Sequence, residues 1–472
     1  MKELSQKEKY LLNINRIHMI GIGGSGMCPL AEILYKKGYQ ISGSDNNESD
    51  PLKRVRTFAK VSLGHKKENV DSAQLVVYSA AISKDNVELQ RAQELNIPIM
   101  ERSELLGALS RMYDNVIGVC GTHGKTTTTS MLTQILITAK KDPSAVIGGK
   151  LPMVDHYGVV GNSENLVVES CEFVDTFLHI SEDVAVLLNI DNDHLDYFKT
   201  MENLVNSFHK FVSNAKIVFV NGDDPLALKA CADINARIIT FGENQQNDYY
   251  FDDIKMGKLG YGFSVFHKSK KIGTYQLHIP GRHNIYNALA AICVSDYMNI
   301  DNESIQNALN TFYGAARRFQ FIGDFGFTLV DDYGHHPTEI EATLKAAKQL
   351  DYDRVVCVFQ PFTYSRTSML LNDFARVLDI ADEVILSEIM GSREVNTYNI
   401  YSKDLQKLIS KPCVVIEDFN DIKDYIITNY HKGDLVITMG CGDIYKVAHL
   451  IEDSYKKWCK YFKFLHQIHF YN

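Results

Sequence analysis

Short apolar runs punctuate the chain, each closed by small or polar residues and followed by residues at helical spacing. The first run, 16–20, leads into Gly21-Ile22-Gly23-Gly24-Ser25-Gly26 and then a helical pattern over 27–37 that Gly38 ends. Runs 39–45 and 75–79 continue this series. A second series comprises 117–119, 166–168, 184–190 and 216–221. Residues 261–266 and 272–279 instead alternate with period two on either side of a polar turn, the pattern of a β-ribbon. A third series comprises 327–330, 355–359, 384–386, 414–416 and 435–439. Pro337 suits the first turn of a helix there, with Ile340, Leu344 and Ala347 on one face. Strands alternating with helices predict parallel α/β sheets. The tail, 455–470, carries the single tryptophan (Trp458) among many aromatics, and its helical spacing predicts core packing.

Composition narrows the class. With 472 residues the chain is long enough for about three domains. A hydrophobic fraction of 45% supports proper cores, and a charged fraction of 23% is that of a globular chain. The net charge is −9 and no long basic run occurs, which argues against a nucleic-acid partner. No run of about 18 apolar residues occurs, so no membrane span is expected. The polar first residues lack the apolar core of a secretion signal. The nine cysteines are scattered without a Cys-x-x-Cys pair, as expected of reduced thiols in a cytoplasm.

The chemistry centres on Gly121-Thr122-His123-Gly124-Lys125-Thr126-Thr127, between an apolar run and a helical stretch. Strand, glycine turn, lysine and hydroxyl together make a phosphate loop for ATP. The glycines let backbone N–H groups face an anion, Lys125 adds a point charge for the outer phosphates, and the Thr126 hydroxyl can hold Mg²⁺. The loop is shorter than the usual pattern, which has glycine where this chain has Val119. Mg²⁺ also needs carboxylate oxygen beside the loop. Glu169 and His194, at the exits of two buried runs, are the candidate ligands alongside Thr126.

Gly21, Gly23 and Gly26, with Asp45 about 20 residues on, satisfy the G-x-G-x-x-G fingerprint. Taken alone, this predicts a dinucleotide coenzyme. The physics asks only for a diphosphate at a helix N-terminus and a sugar hydroxyl on the acid, which any nucleoside diphosphate meets. In the third series Asp332, Tyr333, His335, His336, Ser365, Arg366 and Glu388 follow strand ends, where loops would face one cleft. The expected architecture is α/β in three domains: Rossmann-like over 1–113, a central phosphate-loop domain over 114–322 with the β-ribbon as an insert, and a second Rossmann-like domain over 323–472. No Gly-x-Ser-x-Gly elbow occurs, so phosphoryl transfer is the expected chemistry. A carboxylate cannot acylate an amine directly. Moving the γ-phosphoryl onto it gives an acyl phosphate with a good leaving group. Two nucleotide loops in one chain therefore predict ATP-driven joining of two substrates.

These stretches resemble the Mur ligases. The phosphate loop and Gly281-Arg282-His283-Asn284 mark the wider family, with residues 169–177, 189–196, Arg317-Arg318-Phe319, Phe359-Gln360-Pro361 and Tyr364-Ser365-Arg366-Thr367 in support. The first glycine loop and Asp331-Asp332-Tyr333-Gly334-His335-His336-Pro337-Thr338-Glu339 resemble the member that adds alanine. The resemblance implies a cytoplasmic ligase that forms an amide between UDP-N-acetylmuramate and L-alanine in peptidoglycan synthesis. It also implies ATP with Mg²⁺ (or Mn²⁺), a monomer or homodimer, and a third domain that closes over ATP and the amino acid. By resemblance, Gly21, Gly23, Gly24, Ser25, Gly26, Asp45, His65 and Ser79 bind the UDP-sugar. Gly121, Thr122, His123, Gly124, Lys125, Thr126, Thr127, Asn284, Arg318 and Asp332 serve ATP, and Thr126, Glu169 and His194 the metal. Tyr333 and Arg366 position alanine, and Lys125, His194 and Arg366 carry the catalysis.

Three departures stand out. Phe362 replaces the histidine frequent after Phe-Gln-Pro, Ala80 replaces the second of two serines, and no aromatic follows Ile389. Phe362 cannot donate a hydrogen bond, which leaves open a related ligase adding another amino acid or a preformed peptide. An NAD-dependent oxidoreductase accounts for the first glycine loop but not the second. A non-catalytic nucleotide-binding protein is the remaining alternative.

Overall fold

The computed structural model describes residues 6–257, 260–392 and 394–468. Its first sheet takes β1 (Arg16–Ile20), β2 (Gln40–Asp45), β3 (Lys60–Leu63), β4 (Leu75–Tyr78) and β5 (Ile99–Glu101) in the parallel order β3-β2-β1-β4-β5. That order is the Rossmann half expected from the glycine loop. Ile20 lies level with both Ser44 and Tyr78, so Gly21, Asp45 and Ser79 leave the sheet at the same edge. The helix Cys28–Lys36 follows the loop, buries Leu30, Ile33 and Leu34 against the sheet, and ends before Gly38 at φ +96°.

The second sheet takes β6 (Asn115–Cys120), β7 (Ser144–Leu151), β8 (His156–Val159), β9 (Asn165–Glu169), β10 (Val184–Leu187), β11 (Ile217–Asn221), β12 (Arg237–Gly242), β13 (Tyr249–Met256), β14 (Tyr261–His267) and β15 (Lys270–Gln276). Its order is β15-β14-β13-β12-β11-β10-β6-β9-β7-β8. Strand β6 lies inside it, parallel to β10 and β9, and Val116, Val119 and Cys120 are fully buried because both faces are covered. Burial pushes the Cys120 thiol well up, so it stays protonated beside the loop. The period-two ribbon is the antiparallel pair β14–β15, which finishes one edge of this sheet. A second hairpin, β7–β8, finishes the other. Gly148-Gly149 breaks the alternation of β7, which hides it from a reading by period.

The third sheet takes β16 (Gln320–Asp324), β17 (Thr328–Asp332), β18 (Arg354–Phe359), β19 (Glu383–Leu386), β20 (Cys413–Val415) and β21 (Asp434–Met439) in the order β16-β17-β21-β18-β19-β20, parallel except for β16. The helix Pro337–Lys348 buries Ile340, Leu344 and Ala347, as its spacing requires. Asp331 and Asp332 fall inside β17 rather than in the loop after it. Asp331 can end a buried strand because Thr438 donates to it at 2.6 Å and Arg317 at 3.1 Å. The chain closes on the helix Tyr445–Ile468, where half-buried Tyr455 packs on Phe325 at 4.9 Å between ring centres. The remainder of the predicted packing tail, the Trp458 side chain and Phe470 included, lies outside the described residues.

The chain divides into two compact units. One takes the chain up to Lys255 with Gly262–Leu277 and His283–Ala315, and the other takes the intervening short segments and the chain from Ala316 on. Among the described residues no helix is long and apolar enough to cross a membrane. The described cysteines are free thiols.

Candidate active site

At the end of β6 the neighbouring connections part to either side, which opens the crevice where parallel sheets hold ligands. Gly121, at φ +134°, and Gly124, at φ +86°, turn the chain from β6 into the helix Lys125–Thr138. The loop is fastened to the exit of β10. The Thr122 N–H donates to the Asn189 carbonyl (3.0 Å), the His123 N–H to Asn189 Oδ1 (2.8 Å), and the Asn189 amide back to the His123 carbonyl (3.0 Å). His123 Nε2 stands 3.1 Å from Asp191. Asn284 opens the helix His283–Tyr297 and accepts from Asn287 at 3.0 Å. Asn287, a residue without a signal of its own in the sequence, lies against the loop: a Cβ on Gly124 would be 2.3 Å from its Oδ1. Gly124→Ala therefore strains both backbone and packing. It is expected to raise the KM for ATP at least about tenfold, measured by steady-state kinetics.

Lys125 lies folded under the loop. Its ammonium donates to the Gly121 carbonyl at 2.5 Å and the Thr122 carbonyl at 2.9 Å, and pairs with Glu172 at 2.9 Å. Burial opposes its charge, but the Glu172 carboxylate outweighs burial and raises its pKa, so it is a permanent cation. Thr126 Oγ1 donates to Glu169 Oε1 at 2.7 Å, and the Gly148 N–H to Glu169 Oε2 at 2.6 Å. The hydroxyl and carboxylate expected to share a metal are thus in contact. Glu169 and Glu172 leave β9 together, yet one turns to the hydroxyl and the other to the ammonium. Nothing in the sequence separates those two roles.

His194 precedes the short helix Leu195–Phe198 at φ +56°, with its ring 4.8 Å from Phe173 and Nε2 3.6 Å from Asp193. Among the described residues no three His, Cys, Asp or Glu side chains converge as a metal cage. The Thr126–Glu169 oxygen pair still suits Mg²⁺, which keeps waters and phosphate oxygens in its shell.

The first glycine loop is closed by Asp45, which accepts from the Gly23 N–H at 2.9 Å and the Asn47 N–H at 3.0 Å. Gly21 faces Ser79, whose Cβ would be 3.3 Å from a Cβ on the glycine. His65 Nδ1 lies 2.9 Å from Ser44 Oγ. Behind them sits Glu88, fully buried, which accepts from Ser44 Oγ and Asn69 (each 2.5 Å) and the Lys66 N–H (3.1 Å), with His18 Nε2 at 3.4 Å. Burial would push this carboxyl up, but hydrogen bonds from His18, Ser44 and Asn69 prevail and lower its pKa to about 2. In the sequence Glu88 reads as an ordinary helix charge. A cavity of about 320 Å³ is lined by Gly24, Ser25, Gly26, Ser79 and Arg102 together with Gly148 and Glu169, the carboxylate that Thr126 of the phosphate loop contacts.

In the other unit, Asp332, Met439, Phe359 and Leu386 lie level across β17, β21, β18 and β19. Loops bearing Tyr333, His335, Cys441, Phe362 and Arg366 therefore leave at one edge, as expected. Arg317 holds this edge: it pairs with Asp331 and stands over the rings of Tyr333 (4.9 Å) and Tyr445 (4.6 Å). Arg318 stands 5.1 Å from the Tyr333 ring. Burial raises the Asp331 pKa to about 6 against the pull of Arg317. Asp332 clamps two loops, accepting from the Phe319 and Gly334 N–H groups at 2.8 Å each. Burial raises its pKa, with Arg318 opposing, and burial lowers that of His335. Half-buried Arg366, on the helix Tyr364–Met369, makes no hydrogen bond or ion pair among the described residues. Phe362 bridges to Met390.

Known proteins align with this arrangement along its length. The Mur ligase family, catalytic domain, matches residues 16–114, the Mur ligase middle domain 119–295, and the Mur ligase, glutamate ligase domain, 317–442. The chain is 43% identical over 456 residues to the UDP-N-acetylmuramate–L-alanine ligase of Caldanaerobacter subterraneus subsp. tengcongensis, spanning 95% of this chain and 99% of that one. It is 42% identical over 446 residues to the protein of the same name from Clostridium botulinum strain Loch Maree, spanning 92% and 96%. The crystal structure of the UDP-N-acetylmuramate-alanine ligase of Thermotoga maritima superposes with a TM-score of 0.81 at 27% identity, covering 94% of this chain and 99% of that one. A murein peptide ligase of Psychrobacter arcticus, at 24% identity and a TM-score of 0.70, shares the fold over 93% of this chain and 98% of its own. Three matches in chain order, and relatives above 40% identity across more than nine-tenths of its length, place the chain in the Mur ligase family.

Proposed function

We propose that this protein joins the carboxylate of UDP-N-acetylmuramate to L-alanine, converting ATP to ADP and phosphate, in the cytoplasmic stage of peptidoglycan synthesis. The cavity shared by the first glycine loop and Glu169, the partner of Thr126 in the phosphate loop, carries the reading. A ligand anchored by its diphosphate at Gly21–Gly26 extends toward Glu169, where its acid meets the phosphates cradled by Gly121–Thr127. Lys125 is a permanent cation beneath that loop, and its charge offsets the charge developing on a transferred phosphoryl group. Thr126, Glu169 and His194 are the residues that would hold Mg²⁺, which supplies a neutralising charge between phosphates. Asp45, His65 and Ser79 serve the uridine side, and Asn284, Arg318 and Asp332 the ATP. Tyr333 and Arg366 serve alanine, whose carboxylate matches a guanidinium that makes no hydrogen bond or ion pair among the described residues. The relatives named for alanine addition support the choice of amino acid.

Phosphate release, measured with UDP-N-acetylmuramate, Mg²⁺, ATP and each amino acid in turn, tests this. Alanine is expected to give the highest kcat/KM. Release with another amino acid alone would reassign the specificity, and release with none would remove the reading. Phe362→His restores a hydrogen-bond donor beside Met390. It is expected to lower the KM for alanine about threefold to tenfold with little change in kcat. An unchanged KM would put Phe362 outside the alanine site.

A further inference from the structure

We propose that Asp175 is a positioning residue for His194, an assignment that rests on the metal-holding role given to His194 above. A histidine that holds a metal is ordinarily oriented by a hydrogen bond from its other ring nitrogen. Among the described residues the His194 ring makes none, and Asp193 stands 3.6 Å from Nε2, beyond hydrogen-bond range. Its orientation therefore falls to packing, and the Phe173 ring, 4.8 Å away and tilted by 51°, packs on it. Phe173 opens a turn that does not hold its own shape. Val174 and Asp175 both take left-handed backbone, at φ +54° and +56°. A β-branched residue there is a genuine outlier, and such backbone persists only where its surroundings hold it.

Apolar burial is not what holds this turn, because Phe173 and Val174 are both exposed. The Asp175 carboxylate holds it. It accepts from the Tyr197 hydroxyl at 2.8 Å and from the Ser207 hydroxyl. Ser207 is buried in the helix Met201–Val212, and Tyr197 lies in the helix Leu195–Phe198, which His194 itself precedes. One turn thus directs Glu172 to Lys125, Phe173 to His194, and Asp175 to the helix that His194 opens. Without the carboxylate the turn is free to leave the left-handed region and take the Phe173 ring off the imidazole. The phosphate loop and the Thr126–Glu169 pair are fastened separately, by Asn189 and the Gly148 N–H.

The test is titration of the full-length protein with Mn²⁺ and a non-hydrolysable ATP analogue, free Mn²⁺ being read by electron paramagnetic resonance. Asp175→Ala is expected to weaken Mn²⁺ binding about tenfold. Tyr197→Phe, which removes one hydroxyl from an exposed ring and is the milder change, is expected to weaken it about threefold. Both substitutions are repeated in a His194→Ala background, where neither is expected to change the affinity by more than about twofold, since both act through the imidazole. A merely structural role gives the same loss in both backgrounds. That result, or unchanged affinity in both Asp175→Ala and Tyr197→Phe while His194→Ala weakens Mn²⁺ binding, would overturn the positioning role and leave the proposed function standing. Mn²⁺ affinity in His194→Ala equal to that of wild type removes the metal-holding role of His194 and the positioning role with it.

Discussion

Lys125→Ala stops phosphate release, with turnover falling at least about a thousandfold, while UDP-N-acetylmuramate binds within about twofold of wild type. The reason is where the ammonium sits. It is anchored beneath the phosphate loop by the Gly121 and Thr122 carbonyls and by Glu172. The residues proposed to bind the UDP-sugar belong to a different sheet, so their contacts are expected to survive. The substitution also leaves the Glu172 carboxylate, 1% exposed, without its counter-charge, and this lowers the melting temperature. The double variant Lys125→Ala/Glu172→Gln separates the two effects: it should regain thermal stability and not turnover. Turnover by Lys125→Ala within about tenfold of wild type would remove the assignment of this loop to phosphate chemistry.

Glu88→Ala is expected to destabilise the protein by about 3–5 kcal/mol, measured by urea unfolding at neutral pH. The carboxylate is the common acceptor for Ser44, Asn69 and the Lys66 N–H, with His18 beside it, and its removal takes that partner from the buried Ser44 and His18. The same group makes the first sheet sensitive to acid. In the unfolded chain Glu88 titrates at its ordinary value of 4.5, whereas the folded protein keeps it ionised down to about 2. The unfolded state therefore takes up the proton first as pH falls. The associated stability, about 3 kcal/mol, is fully present above the ordinary value and is lost as pH falls through the folded one. Glu88→Gln should flatten the dependence of stability on pH in that window. An unchanged slope would place the acid-sensitive group elsewhere.

Much of the site was legible because its rules are local. Gly38, Gly121 and Gly124 were readable as turns, since a positive φ depends on a few bonds. Lys125 and Thr126 were readable because a phosphate loop needs its charge and hydroxyl at the start of the next helix. Glu169 was readable because it ends a buried run. That Thr126 touches Glu169 was not, because it depends on β9 lying beside β6 with Val119 level with Glu169. Strand order in a parallel sheet is set by how distant helices pack, and no residue carries it alone.

By itself, then, the sequence determined the alternation of strands and helices, both glycine loops and the family to which they belong, all through interactions spanning a few residues or a single turn. Only the tertiary structure decided that Glu172 neutralises Lys125, that Asn287 presses on Gly124, that Glu88 is a buried hub rather than a solvated helix charge, and that Arg102 faces a cavity. Each of these depends on which segments far apart in the chain become neighbours, and a charged residue looks the same in sequence whether water or a buried partner compensates it.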